Sequence, residues 1–175
     1  WCNDPHILRL VVTRHPGERL LSFWHDKLHL ADPAYAPLNS SVQAARGKEI
    51  SEPCRFADFL SYLSDHWQLL QGDGHLMPQH RFIGQSNLFN LRLDRNQLVK
   101  ELPRSLKTLL PAERLQRLNQ ELKSYDNTRR QRLSHRWEEA YGKEGFALLE
   151  TLYGEDLEAF DYSLPRRRRE KVKPL

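Results

Sequence analysis

At 175 residues, 39% hydrophobic and 29% charged, the chain is long enough for one compact domain and too short for two, and its balance excludes a disordered or fibrous protein. No window holds the roughly eighteen unbroken apolar residues that a membrane span needs. The net charge of +4 does not point to a nucleic-acid partner, because residues 163–175 carry six Lys or Arg and one Glu, leaving 21 bases against 22 acids before them.

His6 to Thr13 is a short, β-branched apolar run between Pro5 and Arg14-His15-Pro16-Gly17, and is predicted as a buried strand of a parallel sheet. Pro16 suits the first turn of a helix, and Leu20, Leu21, Trp24 and Leu28 follow at helical spacing. Residues 31–53, with Pro33, Pro37, Gly47 and Pro53, predict a loop holding a short helix over Val42 to Arg46. Phe56, Phe59, Leu60 and Leu63 form the stripe of a second amphipathic helix.

Past the break at Gln71-Gly72-Asp73-Gly74, Arg81 to Gly84 and Asn87 to Asp94 read as strands. Pro111 opens a third helix carrying Leu115, Leu118 and Leu122. A fourth is predicted from Thr128 to Tyr141, capped by Asn127-Thr128 and ended by Gly142, and a fifth from Glu144 to Tyr153, ended by Gly154. Two or three strands against five helices, with the clearest strand running into a helix, imply an α/β domain with a parallel sheet. Residues 1–162 are expected to form this domain and 163–175 a basic, solvated tail. Cys2 and Cys54 are too few for a zinc site or a disulfide framework, and one bridge between them stays open.

Arg14 stands at the carboxyl end of the first strand, the side of an open α/β sheet where ligands bind, and Ser22 lies about two turns into the next helix. A charged guanidinium fork and a hydroxyl beside the N–H groups of a helix start suit a phosphate monoester. The structural alternative pairs Arg14 and Arg19 with Glu18 or Asp26 and leaves Ser22 without a role. The line TRHPGERLLSFWHDK resembles the 3′-phosphate-binding motif Arg-x-Pro-x-x-Arg-x-x-Ser of the sulfotransferases that use 3′-phosphoadenosine-5′-phosphosulfate, PAPS. Three later stretches are similar, in order, to the carbohydrate branch of that family, which holds the chondroitin and dermatan enzymes and bacterial relatives. They are Phe56-Ala57-Asp58-Phe59-Leu60, His75-Leu76-Met77-Pro78-Gln79, and Leu152-Tyr153-Gly154-Glu155-Asp156 with Phe160-Asp161-Tyr162. His66-Trp67 is a competing match to the branch's His-Trp pair.

The resemblance implies a P-loop-like three-layer α/β fold, its parallel sheet flanked by helices, with the N-terminal part of the sheet and the 5′-phosphosulfate loop missing from this stretch. The activity implied is transfer of a sulfuryl group from PAPS, as co-substrate, to a hydroxyl of a glycan or glycolipid acceptor, in line and without a metal. A fragment lacking that loop is expected to be inactive alone. Arg14 and Ser22 would hold the 3′-phosphate, with Arg19 bracing the turn. His75 is the candidate base or acceptor contact and His66 its rival, since an imidazole takes a proton near neutral pH at small cost. The missing cysteine pair of the animal enzymes leans toward a bacterial, cytoplasmic relative, with the Golgi lumen as the alternative if an anchor precedes Trp1. A reading from another class is a non-catalytic helical module that binds anionic polymers through its basic tail.

Overall fold

The structure, a computed structural model, describes residues 7–47, 54–83, 89–130 and 137–165. Strand β1 (Leu10–Thr13) leads through Arg14-His15 into α1 (Pro16–Phe23). Pro16 takes a first-turn position, where its missing N–H is no loss, and His15 Nδ1 caps the helix by accepting the Gly17 N–H at 3.0 Å. The helix then widens. Trp24–His29 is π-helical, with the Leu30 N–H donating to His25 O at 3.0 Å and the Asp32 N–H to Lys27 O at 3.1 Å.

The prolines of the predicted loop start helices instead of breaking them. Pro33–Tyr35 is a 3₁₀ turn capped by Asp32, and α2 (Ala36–Ala45) carries Pro37 in its first turn, so the short helix predicted near Val42 extends back to Ala36. Helix α3 (Phe56–Leu70) buries the predicted stripe of Phe56, Phe59, Leu60 and Leu63.

Arg81-Phe82-Ile83 is not a strand but part of α4 (Gln79–Ile83). The Asp156 carboxylate accepts the N–H groups of Gln79 and His80, at 2.8 Å each, and caps a helix from far along the chain. The rest of that strand prediction, Gly84, lies outside the described residues. β2 (Leu91–Asp94) falls inside the second predicted strand and pairs in parallel with β1, Leu10 opposite Leu91 and Thr13 opposite Asp94. The run at His6–Thr13 predicts burial on both faces, yet Leu10 and Val12 remain 36% and 40% exposed. A hydrogen-bonded neighbour covers the edge of a strand and leaves its faces open.

Helix α5 (Leu98–Leu106) has no counterpart among the predicted elements, because Pro103 in its interior argues against a helix. Its Leu102 joins Leu93 and Leu122 in a small core. Helix α6 (Ala112–Arg130) runs without interruption through Asn127-Thr128, so the predicted cap there does not form: the backbone ladder from the preceding turns simply continues. The fourth predicted helix is divided: Thr128–Arg130 close α6, 131–136 lie outside the described residues, and Trp137–Tyr141 open α7 (Trp137–Ala159), which takes in the predicted fifth helix and is kinked at Gly142 (φ 60°) and Tyr153 (φ −128°) but not ended there. The Arg166–Lys173 run of the tail lies outside the described residues, past residue 165, and so does Cys2, one half of the bridge left open above.

The main core gathers Leu20, Phe23, Phe59, Leu63, Leu149 and Tyr153 from α1, α3 and α7. Helix α7 reaches α1 at Gly17. A Cβ there would stand 2.4 Å and 2.7 Å from ring carbons of Trp137 and 3.1 Å from Leu149, and the Tyr141 hydroxyl donates to Gly17 O at 2.7 Å. Gly17→Ala is therefore expected to lower stability by about 2 kcal/mol through overpacking, measured as a reduced denaturation midpoint. An unchanged midpoint would contradict the close approach.

Candidate anion-binding active site

The carboxyl ends of the two strands are locked together by Tyr162. Its hydroxyl donates to Asp94 Oδ2 at 2.6 Å and lies 2.9 Å from Thr13 Oγ1. Burial, reinforced by the bond to Asp94, pushes this phenol far above its ordinary pKa and keeps it a donor. Beside the lock, the chain turns at Arg14 and opens a cavity of about 310 Å³.

Four of the five sequence-predicted site residues line this cavity: Arg14, Arg19, Ser22 and His75. His66 does not. It sits in α3 with non-helical backbone angles, its ring centroid 4.2 Å from that of Tyr62. Lys27, Arg95, Asp26 and Thr13 complete the polar lining, which holds four permanent cations and one carboxylate, with Lys27 Nζ also bonded to Asp32 Oδ2 at 2.6 Å. Such a wall favours a multiply charged anion.

Arg14 is nearly buried, and its Nε lies 3.3 Å from Glu18 Oε2, so the pairing foreseen by the structural alternative is present. Glu18 is held in turn by the Asn96 side-chain amide, which donates to Oε1 at 2.8 Å. Arg19 pairs with neither Glu18 nor Asp26. Its Nη2 is 3.7 Å from Asp156 Oδ2, and its guanidinium lies 5.4 Å from the centre of the Tyr153 ring. That Nη2 is buried without a hydrogen-bond partner. The Ser22 hydroxyl donates to Asp26 Oδ2 at 3.3 Å, a long bond. His75 is exposed at the margin, its ring 6.0 Å from Phe23 and 6.2 Å from Tyr35.

His15 caps α1 only while Nδ1 keeps its lone pair. Burial is the largest influence and lowers its pKa below 6.5, against the opposing pull of Glu18. Between the lowered value and 6.5 the unfolded chain binds the proton and the folded one does not, so stability falls as pH drops through that window. His15→Asn, a cap that does not titrate, is expected to flatten this part of the curve of denaturation midpoint against pH. An identical slope in both proteins would exclude His15 as the source.

With this geometry in place, comparison of the sequence decides the family: residues 3–163 match the profile of the sulfotransferase family. The chain belongs to that family. Neither the curated proteins nor the solved structures gave a match. Among the described residues of this sulfotransferase, no cluster of three or more His, Cys, Asp or Glu is placed to hold a metal, and no helix is long and apolar enough to cross a membrane.

Sequence reasoning missed several residues that shape this cavity. On α-helical spacing Lys27 lies about 140° round from Ser22, off the cavity face. The π-helical turn, with more residues per turn, brings it back to that face. Arg95 follows β2 directly, and only the parallel register that sets Asp94 beside Thr13 places it next to Arg14. Gln79 closes the stretch His75–Gln79, from which only His75 was given a role, yet its amide grips the backbone of Arg14: Oε1 accepts the Arg14 N–H at 3.0 Å and Nε2 donates to Arg14 O at 2.6 Å. Asp156, fully buried, holds the Gln79 backbone.

Proposed function

We propose that this sulfotransferase uses PAPS as donor, holds its 3′-phosphate in the cavity at the end of β1, and delivers the sulfuryl group to a hydroxyl of a carbohydrate or glycolipid. The observation that carries the reading is the gathering of Arg14, Arg19 and Ser22 in one cavity beside the start of α1, where four cations meet one carboxylate. The residues fit such a group. Arg19 Nη2 is a buried donor with no hydrogen-bond partner, which a phosphate oxygen would satisfy.

In this reading Arg14 supplies the main charge-assisted contact, and Ser22 turns its hydroxyl from Asp26 to the phosphate. Arg95 adds positive potential in the same lining, and Lys27, bonded to Asp32 Oδ2 at 2.6 Å, stands beside it with its charge partly offset. Bound PAPS would supply an activated sulfuryl group whose transfer leaves adenosine 3′,5′-bisphosphate. His75, exposed at the margin, takes the proton of the attacking hydroxyl, and the fixed cations favour the charge that builds as that proton leaves. The parallel β1–β2 pair, with helices between its strands, supports membership in a larger three-layer, P-loop-like sheet, and the exposed Leu10 and Val12 give that sheet a face to be covered. A cytoplasmic setting belongs to the same proposal.

The test is calorimetric titration of the full chain with two ligands, adenosine 3′,5′-bisphosphate and adenosine 5′-monophosphate. The bisphosphate is expected to bind at least about tenfold more tightly, the order of one charge-assisted contact. Equal affinities would remove the 3′-phosphate assignment.

A further inference from the structure

We infer that Gln79 is a positioning residue for the anion site: its side-chain amide stands in for a strand partner of Arg14 and thereby aims the Arg14 guanidinium at the ligand. The inference rests on the reading of the cavity as a 3′-phosphate site and goes beyond it, because Gln79 is not part of the cavity lining.

β1 and β2 pair from Leu10–Leu91 to Thr13–Asp94, and the Arg95 N–H extends the pairing by donating to Thr13 O at 2.7 Å. There β2 turns away into α5. Arg14 is the next residue of the first strand, its N–H and C=O are buried, and a buried backbone group left without a partner costs free energy. A primary amide is the side chain that offers one acceptor and two donors in the planar layout of a peptide unit. Gln79 supplies both at once, accepting at 3.0 Å and donating at 2.6 Å across 65 positions of sequence. Two bonds to one residue fix its backbone angles, and with them the direction in which its side chain leaves the chain.

Gln79 is itself anchored. Its backbone N–H donates to Asp156 Oδ2 at 2.8 Å, and the other oxygen of that carboxylate takes the His80 N–H at 2.8 Å. Asp156 Oδ2 also lies 3.7 Å from Arg19 Nη2. One buried carboxylate thus tethers the clamp on Arg14 and faces the second guanidinium of the cavity. The two cations are set relative to each other through Gln79-Asp156 rather than through the flexible ends of their own side chains. A glutamine suits the task because its amide does not titrate, and a carboxylate in its place would lose the donor and confront the Arg14 carbonyl.

Two measurements on the full chain test this. Amide hydrogen exchange of the ligand-free protein reads the clamp alone: the Arg14 N–H is expected to be protected, and Gln79→Met to remove about tenfold of that protection while leaving the Leu20 amide unchanged. An unprotected Arg14 N–H in the unsubstituted protein overturns the clamp. Titration with adenosine 3′,5′-bisphosphate then reads its purpose. Gln79→Met is expected to weaken this ligand about tenfold with little effect on adenosine 5′-monophosphate, and Arg14→Ala added to it should cost much less than Arg14→Ala alone, since both act through one contact. Additive losses, or equal losses for both nucleotides, make Gln79 general scaffold and overturn the inference. An unsubstituted protein that binds the two nucleotides alike defeats the 3′-phosphate reading itself, and the exchange result tells that failure apart. Should Gln79→Met lose the fold, Gln79→Glu, which keeps the acceptor and lacks the donor, enters the same cycle.

Discussion

Replacing Arg14 with alanine is expected to weaken adenosine 3′,5′-bisphosphate binding by about 100-fold, the scale of removing one partner from a buried, charge-assisted contact. Affinity for adenosine 5′-monophosphate should stay within about twofold, because that ligand presents nothing to the vacated position. The fold should survive. Gln79 bonds the backbone of residue 14, which alanine retains, and Glu18 keeps the Asn96 amide after its cation is gone. Titration calorimetry with both nucleotides and far-ultraviolet circular dichroism check the two halves. Unchanged affinity for the bisphosphate would withdraw Arg14 from the site, and the PAPS assignment would go with it.

The largest loss of stability is expected from Asp156→Ala. This carboxylate is fully buried, accepts the N–H groups of Gln79 and His80, lies 2.8 Å from His80 Nδ1, and faces Arg19. Removing it strands two backbone donors and leaves a guanidinium without its counter-charge, a cost of about 4 kcal/mol by the experience of broken buried ion pairs. Against a total of roughly 5–15 kcal/mol for a domain, that brings the protein close to unfolding. Asp156→Asn, which keeps an acceptor and loses the charge, should cost less. Denaturant melts of both variants give the comparison, and a loss below about 1 kcal/mol for alanine would mean that solvent or another group replaces the carboxylate.

Much of the candidate site was readable in the residues because its first stretch is local. Arg14, Pro16, Arg19 and Ser22 sit in one strand-turn-helix, where spacing alone fixes their faces, and the structure brings Arg14, Arg19 and Ser22 to a single cavity. His66 and His75 could not be told apart in the same way. Their difference is that a loop ending at Pro78 reaches the cavity while the middle of α3 does not, a fact of packing and not of pattern. Strand and helix assignments failed where a distant group overrides local preference. Arg81 to Ile83 looks extended until Asp156 caps it, and α5 hides behind Pro103. The prolines at 33 and 37 show the opposite error, since the same residue that breaks a helix interior starts a helix at its first turn.

The network around Arg14 also sets an order of events during synthesis. Gln79 reaches back 65 positions, Asp156 reaches back a further 77, and Tyr162 reaches across 149 to the end of β1. A chain leaving the ribosome therefore exposes its chief cation long before it owns the parts that aim it, and loop closures of that length come late. On the proposed reading, grip on a nucleotide should appear only once α7 has docked, and a copy that ends before α7 is expected to leave the donor unbound.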